Sequence, residues 1–324
     1  MLRWTRMLLP LVWAACAIAG CLYALHQNIP WSVALKALPA FLLEVTFFYV
    51  LAVERVRSKI EKLRPLAIAL TLTAAAIGPY CAASLAFGTF HWRAFLSIAA
   101  LAAAASFWYV WLPRKAGSDV LFLVFVAVVW LSKILPGFYP RPIPKLPLEA
   151  LAQAMWFRTC LFAMVSIRRP PGVGFGFWPK PREWKIGVAY FAVFLPLAAA
   201  LAWWIGFAKL RMPANGVGWT SFAAVATFFG TLWVLALGEE FFFRGLLQQW
   251  MTGWLHSEWA GWIAASLVFG SVHLWYRPFP NWRISAIATL LGLCCGLAFR
   301  SARSIRAPMV THALVVTTWR IFFS

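Results

Sequence analysis

Acidic side chains are scarce in this chain: nine Asp and Glu stand among 324 residues, and charged residues of both signs make up only 12%. So little charge excludes an ordinary soluble domain and a disordered chain alike. Cysteine is sparser still. Cys16, Cys21, Cys81, Cys160, Cys294 and Cys295 all fall in apolar stretches and none has CxxC spacing, which argues against a disulfide framework and against a zinc cluster. The strict polar/apolar alternation of a membrane β-barrel is absent too. No internal repeat or low-complexity tract stands out.

What is present is hydrocarbon. Hydrophobic residues make up 63% of the chain, mean hydropathy is +0.77 and there are 21 Trp. Apolar runs of about 20 residues recur, each enough as helix to cross about 30 Å of bilayer core. The pattern predicts an all-α fold, a polytopic transmembrane helical bundle of about 10–11 membrane helices. The expected spans are 8–25, 31–53, 65–87, 94–112, 119–135, 186–208, 220–247, 259–276, 284–299 and 307–323. A less apolar helix over 148–167, carrying Glu149 and Arg158, either spans or lies along the interface. Many Trp fall near span ends, among them Trp31, Trp92, Trp111, Trp219, Trp254 and Trp259, as in interfacial aromatic belts.

A net charge of +20 would point to nucleic acid in a soluble protein. Here the basic residues lie in loops between spans, where they orient the chain and meet anionic lipid headgroups, so membrane lipid is the expected partner and nucleic acid is not. Arg3 and Arg6, the basic stretch 54–64, Arg114 and Lys115, the group from Arg168 to Lys185, and Arg300, Arg303 and Arg306 all fall on one side if 148–167 spans. The positive-inside rule makes that side, and the N-terminus, cytoplasmic. Arg141, Lys145, Lys209, Arg211, Arg277 and Arg283 fall on the other.

Residues 168–185, RRPPGVGFGFWPKPREWK, break the composition, because Pro170, Pro171, Gly172, Gly174, Gly176, Pro179 and Pro181 forbid a continuous helix. The expected organisation is an N-terminal multi-span region over 1–167, a Pro/Gly-rich connecting loop over 168–185, and a C-terminal membrane domain over 186–324. In the first region Glu44 and Lys36 are the ionisable groups at membrane depth, explained by interhelical pairing or snorkelling.

Against this background Glu239-Glu240 is the most informative dipeptide. It sits in TLWVLALGEEFFFRGLLQQW, where each carboxylate at the bilayer centre costs on the order of 2.5–3.5 kcal/mol. Glu240 and Arg244, four apart on a helix, share a face and can offset each other's desolvation. Glu239 projects about 100° away and is left for chemistry. Phe269 and His273 are likewise one turn apart, so the phenyl ring can fix the imidazole. His312 lies in the last span. At 1.5 Å per residue Glu239, His273 and His312 can share one level of a bundle, within roughly 8–20 Å of the span ends on the basic side. A carboxylate and two imidazoles can deprotonate and aim water and hold an oxyanion, which is the chemistry of an intramembrane hydrolase. Gly292 and Gly296 form a GxxxG read as close packing within the core, with Cys294 and Cys295 as small packing residues.

The order and spacing, EExxxR, then FxxxH, then a late His after a small-residue helix and a basic loop, resemble the CAAX-protease and bacteriocin-processing (CPBP) family of glutamic-type intramembrane endopeptidases. The resemblance covers about residues 183–323. It implies Glu239 as the general base, His273 as the residue that orients the water, and His312 as the oxyanion stabiliser, with Glu240, Arg244 and Phe269 in support. It implies no cofactor and no metal. The implied substrate is a membrane-anchored or membrane-inserted peptide or protein, with water reaching it from the cytoplasmic side. Bacterial peptide maturation at the inner (cytoplasmic) membrane is the expected setting. One position departs: Val316 stands where the family usually has Asn or Asp, four residues after the last His. Two alternatives stay open. Glu239, His273 and His312 could form a two-His, one-carboxylate zinc site, or the cluster could serve a non-catalytic transporter or immunity-type relative.

Overall fold

The computed structural model describes residues 2–146, 148–207, 210–211, 216–276 and 279–323, with side chains described for all of these but 2–8 and 51–52. Of the residues in the loop-charge reading, Lys209, Arg277 and the side chains of Arg3 and Arg6 lie outside the described residues. The chain is 81% helical, and the described residues form twelve helices and no strand. Among the described residues, eight helices are long and apolar enough to cross a membrane. The contacts divide the chain into two compact units, Met1–Arg169 and Pro170–Ser324.

The first unit holds α1 (Leu2–Gln27), α2 (Trp31–Ala52), the short α3 (Glu54–Ile60), α4 (Pro65–Ala86), α5 (Trp92–Trp111), α6 (Ala116–Leu131) and α7 (Glu149–Arg168). The helix that could have lain along the interface is the most enclosed of them, 20 residues with Trp156 and Arg158 fully buried. The reason is electrostatic. Arg158 reaches across to Glu44 on α2 with two parallel hydrogen bonds of 2.7 and 2.9 Å and donates a third to the Ala75 carbonyl. Such a forked pair can be buried because most of its lone pairs and N–H groups are used. A second fork joins Arg168 at the end of α7 to Asp119 at the start of α6, at 2.8 and 2.9 Å. Lys36, by contrast, is exposed.

The second unit holds α8 (Pro181–Trp204), α9 (Val217–Leu255), α10 (Glu258–Val272), α11 (Trp282–Ala302) and α12 (Arg306–Phe322). α8 begins inside the Pro/Gly-rich segment. Pro181 takes the first helical position, where a missing N–H costs nothing, and the Glu183 carboxylate accepts from the Lys180 amide at 2.6 Å. α9 is 39 residues long, about 58 Å at 1.5 Å per residue and so longer than one bilayer crossing. α10 and α12 are short, at 15 and 17 residues.

Small residues bring these helices close enough to build a site. A Cβ on Gly292 would lie 3.1 Å from Ser266 Cα, and one on Gly296 only 2.3 Å from the Trp262 ring, so the GxxxG seats α11 directly on α10. Gly270 is tighter still: its Cβ would fall 1.8 Å from Thr289 Oγ1 and 2.9 Å from the Ser285 carbonyl, while the Gly270 carbonyl accepts from the Ser285 hydroxyl at 2.8 Å. Gly270→Ala is therefore expected to separate α10 from α11 at a cost of about 1–3 kcal/mol. Thermal unfolding in detergent measures this, and an unchanged melting temperature would contradict the close approach.

Candidate active site

Glu239 and Glu240 occupy a four-residue α-helical step, Leu237–Glu240, within α9. Wider π-helical turns flank it at Thr231–Ala236 and Phe241–Leu247. π turns inside an α-helix re-aim side chains and free backbone groups, and they collect at functional sites. Within this step the two adjacent carboxylates have different surroundings. Glu240 is fully buried, and its Oε2 lies 3.3 Å from Arg244 Nε, the pairing expected from the i,i+4 spacing. Its other oxygen accepts from His312 Nδ1 at 2.8 Å, across 72 residues of sequence. An ionised carboxylate only accepts, so the His312 proton sits on Nδ1 and Nε2 points the other way. There it lies 3.8 Å from Glu239 Oε2, beyond a hydrogen bond. Glu239 is thus a carboxylate with no hydrogen-bond partner for Oε2 and about 29% of its side chain accessible.

His273 is placed by the end of a helix. α10 tightens into a 3₁₀ turn at His273–Trp275, and the His273 amide turns to the Gly270 and Ser271 carbonyls. The Phe269 carbonyl, released from its usual partner, accepts from the His273 ring at Nδ1, 2.8 Å away. A carbonyl cannot donate, so Nδ1 carries the proton, and Nε2 of the neutral ring is an acceptor. The Phe269 ring is the common packing surface. Its centroid lies 4.8 Å from that of His273, 5.9 Å from that of His312 and 4.9 Å from the Arg244 guanidinium.

Glu239, His273 and His312 line one cavity of about 420 Å³, otherwise walled mainly by apolar side chains of α8, α11 and α12, including Phe194, Leu291, Val315 and Trp319. Val316 lines it as well, one turn beyond His312, so hydrocarbon stands where a hydrogen-bonding group would face the site. Thr311 cannot replace that donor, because its hydroxyl is committed to the Gly187 carbonyl at 2.9 Å. Thr318 and Tyr276 do line the cavity, and neither was singled out from the sequence.

Cys295, read from the sequence as a small packing residue, stands beside the site. Glu240, His312 and Cys295 each offer an atom within 4.8 Å of the others, a set of ligand types that can hold zinc. It is not the trio of Glu239, His273 and His312 that the sequence offered for a metal. The donor chemistry fits a cation poorly: the Arg244 guanidinium already stands against the Glu240 carboxylate, and His312 Nδ1 is engaged with it. We read Glu240 and Cys295 as support behind the cavity wall, with His312 held by Glu240 and facing the cavity.

Among the described residues, eight helices long and apolar enough to cross a membrane define a multi-pass integral membrane protein, and its C-terminal unit holds a buried Glu–Arg–His network. The comparison with known families then gives the narrower assignment. Residues 220–318 match the Rce1-like family, described as type II CAAX prenyl endopeptidase Rce1-like. The matched segment contains Glu239, His273 and His312, and the matching family is the CAAX-protease family that the EExxxR, FxxxH and late His resemble. No curated protein and no solved structure matches the chain.

Proposed function

We propose that this protein is an intramembrane endopeptidase that hydrolyses a peptide bond of a membrane-anchored or membrane-inserted substrate with water activated by Glu239 and His273. The observation that carries the reading is that one free carboxylate and two imidazoles share a single cavity while their neighbours are engaged elsewhere. A water molecule between Glu239 and His273 Nε2 meets two acceptors. It donates one hydrogen to each, which turns its lone pair toward a bound carbonyl carbon. Glu239 takes one proton as the new C–O bond forms, and the same proton passes to the leaving amine nitrogen as the C–N bond breaks. The ring of His312, between Glu239 and Glu240, can carry a second proton on Nε2. In that form it donates to the oxyanion. The apolar walls select apolar residues around the cleaved bond and keep bulk water out. The setting we propose is a bacterial inner membrane with the N-terminus in the cytoplasm.

The test is incubation of the full-length protein in detergent with a library of membrane-anchored peptides, comparing wild type with Glu239→Gln and His273→Ala. Equal turnover by all three would end the peptidase reading. Val316 is the one observation that favours a non-catalytic relative of transporter or immunity type, and it supplies its own measurement. If the chain is an enzyme short of one oxyanion donor, Val316→Asn should raise kcat, because a single such donor is worth about 10²–10³. A fall in kcat, with the melting temperature held, would show that another group already fills that place.

A further inference from the structure

The C-terminal unit has two distinguishable ends. At one, Gly174 accepts from Ser304, Arg182 donates to the Ser301 carbonyl, Glu183 pairs with Arg306 at 2.8 Å, and Glu258 pairs with Arg300 and Arg303. The start of α8, the start of α10 and the α11–α12 turn therefore share one face, which carries the basic loops. At the other end Leu210 bridges to Phe323, the Arg211 amide donates to the Phe322 carbonyl, and Arg283 reaches the Gly206 carbonyl. That face gathers the end of α8, the start of α11 and the end of α12.

The cavity belongs wholly to the second end. Its wall takes Phe194 to Ala202 from the later half of α8, Ile284 to Leu291 from the first half of α11, and Val315 to Phe323 from the last turns of α12. Phe207 and Tyr276 come from the loops of that face, and His273 caps α10 there. Among the described residues, none of the basic face lines it. Toward the basic face the site is closed by fully buried Glu240, Arg244 and Cys295 and by Gln248.

This arrangement conflicts with the paired expectations that the basic loops are cytoplasmic and that the site opens to the cytoplasm, and one of them must yield. By the alternation of spans along the sequence, the loops on the side of Arg300, Arg303 and Arg306 hold roughly twice as many Lys and Arg as those on the side of Arg283, a bias that the positive-inside rule reads directly. Within the first unit the hydrogen bonds gather the basic segments in the same way. Arg169 donates to the Glu61 carbonyl and Arg168 pairs with Asp119 just beyond Lys115, whereas Lys145 meets the Gln27 carbonyl among the opposite loops. We infer that the cavity opens on the side of the membrane away from the cytoplasm, and that the substrate is a membrane-anchored peptide whose cleavable segment is presented from that side. The inference about substrate rests on the peptidase reading; the sidedness does not.

Sidedness can be measured without any activity. In the full chain with its six cysteines replaced by Ser or Ala, single cysteines are introduced at exposed Phe279, in the α10–α11 loop of the cavity face, or at exposed Ser301, on the basic face. Intact cells of a bacterial host are treated with a membrane-impermeant maleimide before and after permeabilisation. Phe279→Cys should label in intact cells, and Ser301→Cys should gain at least about tenfold on permeabilisation. Fusions at the C-terminus give a second readout that spares the cysteines: alkaline phosphatase should be active there and green fluorescent protein dark. The reverse labelling, equal labelling of both positions in intact cells, or a fluorescent fusion would overturn the inference. A peptidase assay that failed while the labelling held would instead strike at the proposed function alone.

Discussion

Glu239→Gln should abolish most turnover, by about 10²–10⁴-fold in kcat, the usual contribution of a positioned acid–base group, and should leave the fold nearly untouched. The substitution keeps shape and volume and removes only the ability to take a proton. Glu239 has little to lose structurally, since His312 Nε2 lies 3.8 Å away and Oε2 has no hydrogen-bond partner among the described residues. A side chain so weakly held moves stability by about 0.5 kcal/mol or less when replaced isosterically. The expected signature is therefore a collapse of kcat with KM and melting temperature preserved, because the lost interaction acts in the transition state and not in ground-state binding. Glu239→Asp draws the carboxylate back by one methylene and should recover only part of the rate. If Glu239→Gln turned over substrate like wild type, water activation would have to come from elsewhere, and the assignment of this carboxylate as base would fall.

The helical membrane architecture was legible because length and hydropathy alone decide it: apolar runs of span length admit few other structures in lipid. The ion pair of Glu240 with Arg244 was legible for the same local reason, since i,i+4 spacing puts both on one face. What stayed hidden was long-range. Nothing in the sequence says that Glu240 also holds His312 across 72 residues, or that Cys295 stands beside both. The one-turn spacing of Phe269 and His273 does bring their rings together, as expected. The orienting hydrogen bond, however, comes from the Phe269 backbone carbonyl, freed where α10 tightens, an event that no residue pattern announces. The π turns around Leu237–Glu240 are invisible for a like reason, because apolar periodicity cannot separate neighbouring helix types. Pro181 shows how one residue can be read two ways. As a helix breaker it extends the connecting loop, while its actual place at the first helical position starts α8. Burial at membrane depth says that Glu44 needs a partner, but only the packing of α7 identifies Arg158.

Glu240→Ala is expected to have the largest effect on stability. It removes the carboxylate that stands against a fully buried guanidinium, one that makes no hydrogen bond through Nε, Nη1 or Nη2. What remains to hold the charge is the face of Phe269 at 4.9 Å and of Phe243 at 5.8 Å, and neither ring carries the counter-charge that the carboxylate supplied. Breaking a buried pair from one side costs about 3–5 kcal/mol, because the surviving charge has lost its compensation. Removing both charges should cost far less, since apolar replacements of similar volume are often neutral at such sites. Glu240→Gln combined with Arg244→Met is accordingly expected to melt well above Glu240→Ala. The same double variant should remain nearly inactive. An amide in place of the Glu240 carboxylate accepts from His312 Nδ1 only as a neutral group, and it no longer supports a second proton on that ring. Unfolding in detergent and peptide turnover, measured on both variants, separate the two tasks of this carboxylate. If the double variant regained activity along with stability, Glu240 would be a packing residue only, and the orientation of His312 would have to be assigned to the Phe269 ring that meets it edge to face.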